Sequence, residues 1–197
     1  MIGDLPDENN SYKLVQPPSS YDSLIQRLSV EYPEAASKKL AKIYCPDGAL
    51  PAGSTWTETF GHIYADMQVH VTERGLLAAL ARTLPLSSIY RYRINWRAEC
   101  VTKFMPIGMG VAHGCDLTIW FYGNGYSLLP EEQNLMRKFL EPFTAFLNGE
   151  EREYGTGGIE EVRAILPNMS IAIMRDDDWH RCQKIWHALQ LVRLARL

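Results

Sequence analysis

Residues 87–96 read SSIYRYRINW. Ile89, Tyr90, Tyr92, Ile94 and Trp96 are β-forming side chains, and Arg91, Arg93 and Asn95 alternate with them, the period-two pattern of a strand. A loop with Gly108, Gly110 and His113 follows directly. Upstream, TERGLLAALAR (72–82) has helical spacing. Downstream, Leu135, Met136, Phe139, Leu140, Phe143, Phe146 and Leu147 recur at three- and four-residue intervals. That long helix opens at Pro130-Glu131-Glu132, suited to the positive end of a helix, and stops at Asn148-Gly149, with Pro142 inside it as an expected kink.

Working outward, SSYDSLIQRLS (19–29) predicts a short helix with Ser20 as N-cap. PEAASKKLAKIY (33–44) predicts another, with Pro33 at its first position. MIGD reads as a strand end running into an acidic loop, GDLPDENN. SIAIMR (170–175) is a short strand candidate, followed by a helix from about Asp178 with Trp179, Cys182, Trp186 and Leu189 on one face. Helices interleaved with strands predict an α/β fold, its sheet covered by helices. In such sheets functional groups sit in loops beyond the carboxyl ends of strands. The acidic loop and the histidine loop both take that position.

Composition excludes several classes. The 197 residues are 46% hydrophobic and 22% charged, with a formal charge of −3, so no basic footprint for nucleic acid is present. No apolar run has the length of a bilayer-crossing helix. Cys45, Cys100, Cys115 and Cys182 form no C-x-x-C pair, and the expected reading is four idle thiols. His180 and His187 lie seven apart without a third ligand nearby. No metal and no cofactor are expected. With neither a signal peptide nor a membrane segment visible, the expected compartment is cytoplasmic by default.

GVAHGCDLTIWF (110–121) carries the chemistry. A neutral imidazole takes a proton from a hydroxyl and returns it to a leaving group, given a carboxylate that fixes its tautomer. Gly110 and Gly114 permit the tight backbone that aims such a side chain. Asp4, Asp7 and Glu8 are the carboxylates available upstream.

The stretch resembles the histidine motif of the carboxylesterase type B (cholinesterase-like) family of α/β-hydrolases, H-G-x-[DE]-L-x-x-x-F, matched by His113, Gly114, Asp116, Leu117 and Phe121. GDLPDEN is similar to that family's acid motif, D-E-G, with Glu8 on the glutamate. SSIYRYRINW resembles the strand before the histidine loop, and DDDWHRCQKIWHAL (176–189) the family's last helices. The resemblance implies His113 as general base and Glu8 as its orienting carboxylate, in the acid-then-histidine order of α/β-hydrolases. Asp116 and Gly114 would be supporting, and Asp7 is a rival for the acid because Asn9 stands where the family has glycine.

No G-x-S-x-G occurs in the chain, and Gly53-Ser54-Thr55-Trp56 lacks the second glycine of a nucleophile elbow. Residues 1–197 are therefore expected to be one C-terminal portion of such a domain, an incomplete sheet without the nucleophile elbow, Met1 being an internal methionine. The expected function is carboxylic-ester hydrolysis by Ser-Glu-His acyl transfer to water, with this chain inactive alone. The partner would be a small-molecule ester. The alternative is a non-catalytic, truncated carboxylesterase-like protein or interaction module, self-associating or capturing a partner through an exposed sheet edge.

Overall fold

A computed structural model describes residues 1–150 and 153–194. The chain forms two compact units, Met1–Asp7 with Leu77–Asp177 and Glu8–Leu76 with Asp178–Leu197.

The first unit holds the sheet. Its strands are β1 (Ile2–Asp4), β2 (Arg91–Ile94), β3 (Glu161–Ile165) and β4 (Ile171–Arg175), in spatial order β1-β2-β3-β4. β1–β2 and β2–β3 are parallel; β3–β4 is an antiparallel hairpin. The architecture is α/β, as the sequence predicts. The strand expected over 87–96 is shorter, because Leu86–Ser88 is a 3₁₀ turn after Pro85. β3 has no counterpart in the sequence reading.

The register explains the alternation in β2. Ile94 lies beside Ile165 and packs with Leu5, Trp96, Leu135, Met136 and Phe139 in the core under helix α7 (Pro130–Leu147). Arg91 and Arg93 point to the opposite face, where they are ion-paired. Arg93 forms a bidentate bond to Asp4 beside it in β1, at 2.7 and 2.8 Å. Arg91, fully buried, reaches Asp176 at 2.6 Å and the Ile159 carbonyl at 2.7 Å. Helix α7 has the bounds its sequence signals gave: Pro130 is its first residue, Asn148 its C-cap and Gly149 adopts a φ of +73°. It continues through Pro142 as one element.

The second unit is helical: α1 (Glu8–Tyr12), α2 (Tyr21–Leu28), α3 (Glu34–Tyr44), α4 (Trp56–Ala65), a π-helical turn (Asp66–His70), the start of α5 (Val71–Leu80), and α8 (Trp179–Leu194). Ser20 caps α2 and shares a capping box with Ser23; Thr55 and Glu58 do the same for α4. Ser54 therefore sits at a helix entry and bonds Thr59, outside any strand-to-helix elbow. Leu24, Leu28, Leu40, Phe60 and Ile63 form the core. Gly61 admits α1 against α4, since a Cβ there would stand 2.7 Å from the Asn9 carbonyl oxygen. All four cysteines are buried and none is in a disulfide.

Candidate functional site

The acid strand end and the histidine loop meet in the first unit. Past β1, Leu5 is buried in the core and fixes the direction of the chain. Asp7 then pairs with Val111 in both senses: its backbone N–H donates to the Val111 carbonyl at 3.2 Å, and its carboxylate Oδ2 accepts the Val111 N–H at 2.8 Å. Gly110 stands against that carboxylate. Its φ is +64°, and a Cβ built on it would lie 2.2 Å from Asp7 Oδ2. Gly114 differs: its φ of +88° requires glycine, yet the space beside it is open.

A guanidinium holds the other side of the loop. Arg97 Nη1 donates to the Gly110 carbonyl at 2.5 Å and Nη2 to the Met105 carbonyl. Ala112 is fully buried, so His113 is the first exposed residue after two anchored positions. Helix α6 (Leu117–Trp120), a single turn, follows at once. Asp116, half-buried, precedes it and accepts the Tyr92 hydroxyl at 3.1 Å, so its carboxylate ties α6 to β2. The Tyr92 ring in turn rests over Gly3, where a Cβ would be 2.5 Å from its Cγ.

Glu8, the acid expected from the motif, is the first residue of α1, opens the second unit and is buried. The expected site residues Asp7, Gly114, Asp116 and His113 thus share the first unit. Arg97 and Tyr92 were not singled out from sequence. The signal for Arg97 was its place directly after a buried strand, where a basic side chain has loop carbonyls within reach.

Other features compete poorly as reaction centres. A groove of about 960 Å³ lies beside the start of β2, lined by Leu86, Ile89, Tyr90, Tyr154 and Thr156, and none of the expected residues borders it. In the second unit Asp66 accepts both Nη atoms of Arg181, at 2.5 and 3.0 Å, and the Tyr44 hydroxyl. Burial, then the Asp66 charge, drives the Tyr44 phenol far above its ordinary value. A carboxylate saturated by three donors is a structural clamp. Phe104 is exposed and stacks on Tyr126 at 5.3 Å. Among the described residues no group of three or more metal-ligating side chains occurs, and no helix is long and apolar enough to cross a membrane.

No protein-family model matches the chain. A carboxylic ester hydrolase of Gibberella moniliformis is 31% identical over 94% of this chain and 35% of its own length. An uncharacterized esterase/lipase of Schizosaccharomyces pombe is 31% identical over 91% of this chain and 34% of its own. The chain therefore spans about a third of the length of the curated relatives it matches. The crystal structure of Aspergillus niger EstA superposes with a TM-score of 0.68 at 19% identity, over 96% of this chain and 39% of that one. The fold likeness and the sequence likeness agree across nearly all of the chain. Over nearly its whole length the chain is thus similar in sequence to part of these esterase-named relatives, and in fold to part of EstA.

Proposed function

We propose that this chain carries the acid and the base of a carboxylic-ester hydrolase, with Glu8 orienting His113 and the serine nucleophile supplied by sequence outside these 197 residues. The carrying observation is the knot between the two motifs: Asp7, which directly precedes Glu8, is bonded to Val111, two residues before His113. In the reaction the imidazole takes the serine proton as the hydroxyl attacks the ester carbonyl, then gives it to the departing alkoxide. Water, activated by the same ring, releases the acid and regenerates the serine. Glu8 holds the tautomer and stabilises the imidazolium. Asp7, Asp116 and Gly114 shape the loop and take no proton.

The isolated chain is expected to release no nitrophenol from short-chain esters above background, because nucleophile and oxyanion donors are both missing. Combined with the part of the Gibberella relative that this chain does not match, it is expected to hydrolyse them. In that pairing His113→Ala removes turnover and Glu8→Gln lowers it by about 10⁴-fold. Hydrolysis that survives His113→Ala refutes the assignment. The absence of a G-x-S-x-G serine favours one other reading, a non-catalytic module acting through the edge of β1. It predicts no turnover in the paired preparation.

A further inference from the structure

We infer that Asp7 is a positioning residue for His113: its carboxylate and the Arg97 guanidinium clamp the Gly110–Val111 backbone, so that the imidazole is presented in one orientation. The inference rests on the reading of His113 as the base, and it separates two neighbouring carboxylates that sequence alone leaves as rivals. Asp7 Oδ2 is aimed at a backbone N–H, 2.8 Å from the Val111 nitrogen. A carboxylate oxygen engaged in this way fixes a chain segment and is not offered to a ring. The reciprocal bond from the Asp7 N–H to the Val111 carbonyl closes a two-point contact, so Val111 can neither slide nor rotate without breaking one of them.

Gly110 makes the clamp possible. The carboxylate occupies the space a Cβ would take, 2.2 Å from Oδ2 and 2.7 Å from Cγ, and the residue also holds a left-handed φ of +64°. Arg97 completes the clamp from the carbonyl side by bridging Gly110 and Met105. Val111 is thus held by Asp7, and Ala112 is fully buried with its carbonyl accepting the Cys115 N–H at 3.0 Å. The backbone entering and leaving His113 is set on both sides. Tertiary support of this kind is what keeps a functional side chain within a fraction of an ångström of its productive placement.

The test reads the imidazole tautomer, which the orientation of the ring determines and which a loss of stability alone does not move. The 197-residue chain, labelled with ¹⁵N in its five histidines, is studied at pH 9, where an ordinary imidazole is neutral. The His113 ring signals are assigned by their loss in His113→Gln. In the wild type one tautomer is expected to dominate by about tenfold or more, the bias a hydrogen-bond difference of about 1.4 kcal/mol gives. Asp7→Asn and Gly110→Ala are each expected to remove most of that bias. The second variant keeps the Asp7 charge while pushing the carboxylate off Val111 and straining the left-handed Gly110 backbone. Gly75→Ala, destabilising in the other unit because its Cβ would stand 2.2 Å from the Trp186 ring, is expected to leave the ratio alone.

A tautomer ratio that stays at the wild-type value in Asp7→Asn overturns the inference. So does a ratio that changes in Asp7→Asn but not in Gly110→Ala, since that is a direct effect of charge. Glu8→Gln tests the underlying reading separately: if it leaves the ratio unchanged while the two loop variants move it, Glu8 is not the orienting acid and Asp7 retains its role. Should Gly110→Ala lose its cooperative urea transition, Arg97→Lys takes its place. That change keeps the positive charge and loses the two-carbonyl bridge.

Discussion

Arg91→Met is the perturbation that tests most directly how the sheet is held. Arg91 opens β2 and is fully buried, with Asp176, also buried, 2.6 Å away just past the end of β4. The two nitrogens of its fork serve different acceptors, Nη2 the carboxylate and Nη1 the Ile159 carbonyl at 2.7 Å. The guanidinium therefore joins β2 to the segments flanking β3 and β4. Asp176 adds a backbone bond to the Glu160 carbonyl at 2.7 Å. Removing the guanidinium from a buried carboxylate costs about 3–5 kcal/mol, and the deprived Ile159 carbonyl adds about 1–3 kcal/mol. Against a total stability of about 5–15 kcal/mol for a domain, the variant stands near unfolding. Arg91→Met combined with Asp176→Leu replaces both charges by apolar groups, leaving mainly the carbonyl term of about 1–3 kcal/mol. Urea denaturation followed by tryptophan fluorescence, over wild type, both single variants and the double, gives the coupling energy. Each single variant leaves one buried charge unpaired and the double leaves neither, so the expected coupling is the sum of two penalties of about 3–5 kcal/mol each, about 6–10 kcal/mol. A single variant that loses less than about 1 kcal/mol, or a double whose loss equals the sum of the singles, refutes the argument.

Gly3→Ala is expected to lower stability by about 1–3 kcal/mol, because its Cβ would fall 2.2 Å from the Tyr92 carbonyl oxygen and under the Tyr92 ring. A thermal melt checks the loss, and an unchanged Tm argues against the close packing of β1 on β2. Glu132→Gln is expected to cost about 1–3 kcal/mol. Its buried carboxylate accepts the Glu99 N–H at 2.8 Å and the Leu129 N–H at 2.9 Å, and an amide can serve only one of them. Hydrogen exchange should speed at the amide that loses its acceptor. Cys182 is expected to resist iodoacetamide at pH 8.5 in the folded chain and to react after denaturation, since burial pushes its thiol up to about 12. With the folded value above the unfolded one, the protonated thiol stabilises the fold fully below pH 9. That contribution falls by about 1.4 kcal/mol per pH unit as the pH rises from 9 towards 12. Cys182→Ala should flatten that part of the stability profile, and an unchanged slope counts against the burial.

What the sequence revealed and what it concealed follow from the range of the interactions involved. Helix α7 was legible to the residue because its start at Pro130 and its stop at Asn148-Gly149 are local signals. β3 was not: in EVRAI the charged Glu161 and Arg163 break the apolar run, and burial of Val162, Ala164 and Ile165 is decided by neighbours far along the chain. α1 was hidden for the same reason. After Glu8 its residues Asn9, Asn10, Ser11 and Tyr12 are poor helix formers, and the helix exists where Gly61 leaves room for the Asn9 carbonyl. The site divides along the same line. The glycines and the histidine of the loop were visible as a local pattern, since left-handed backbone has few substitutes for glycine. The distinction between Asp7 and Glu8 was not visible, because the partner that defines Asp7, the Val111 N–H, lies 104 residues away. Arg97 was equally silent, since an arginine after a strand is an ordinary surface residue until Gly110 and Met105 turn their carbonyls towards it. A motif can thus offer candidate residues without showing which backbone groups they bond. In this chain Asp7 bonds Val111 while Arg97 bonds Gly110 and Met105, so the Gly110–Val111 peptide is held from both sides.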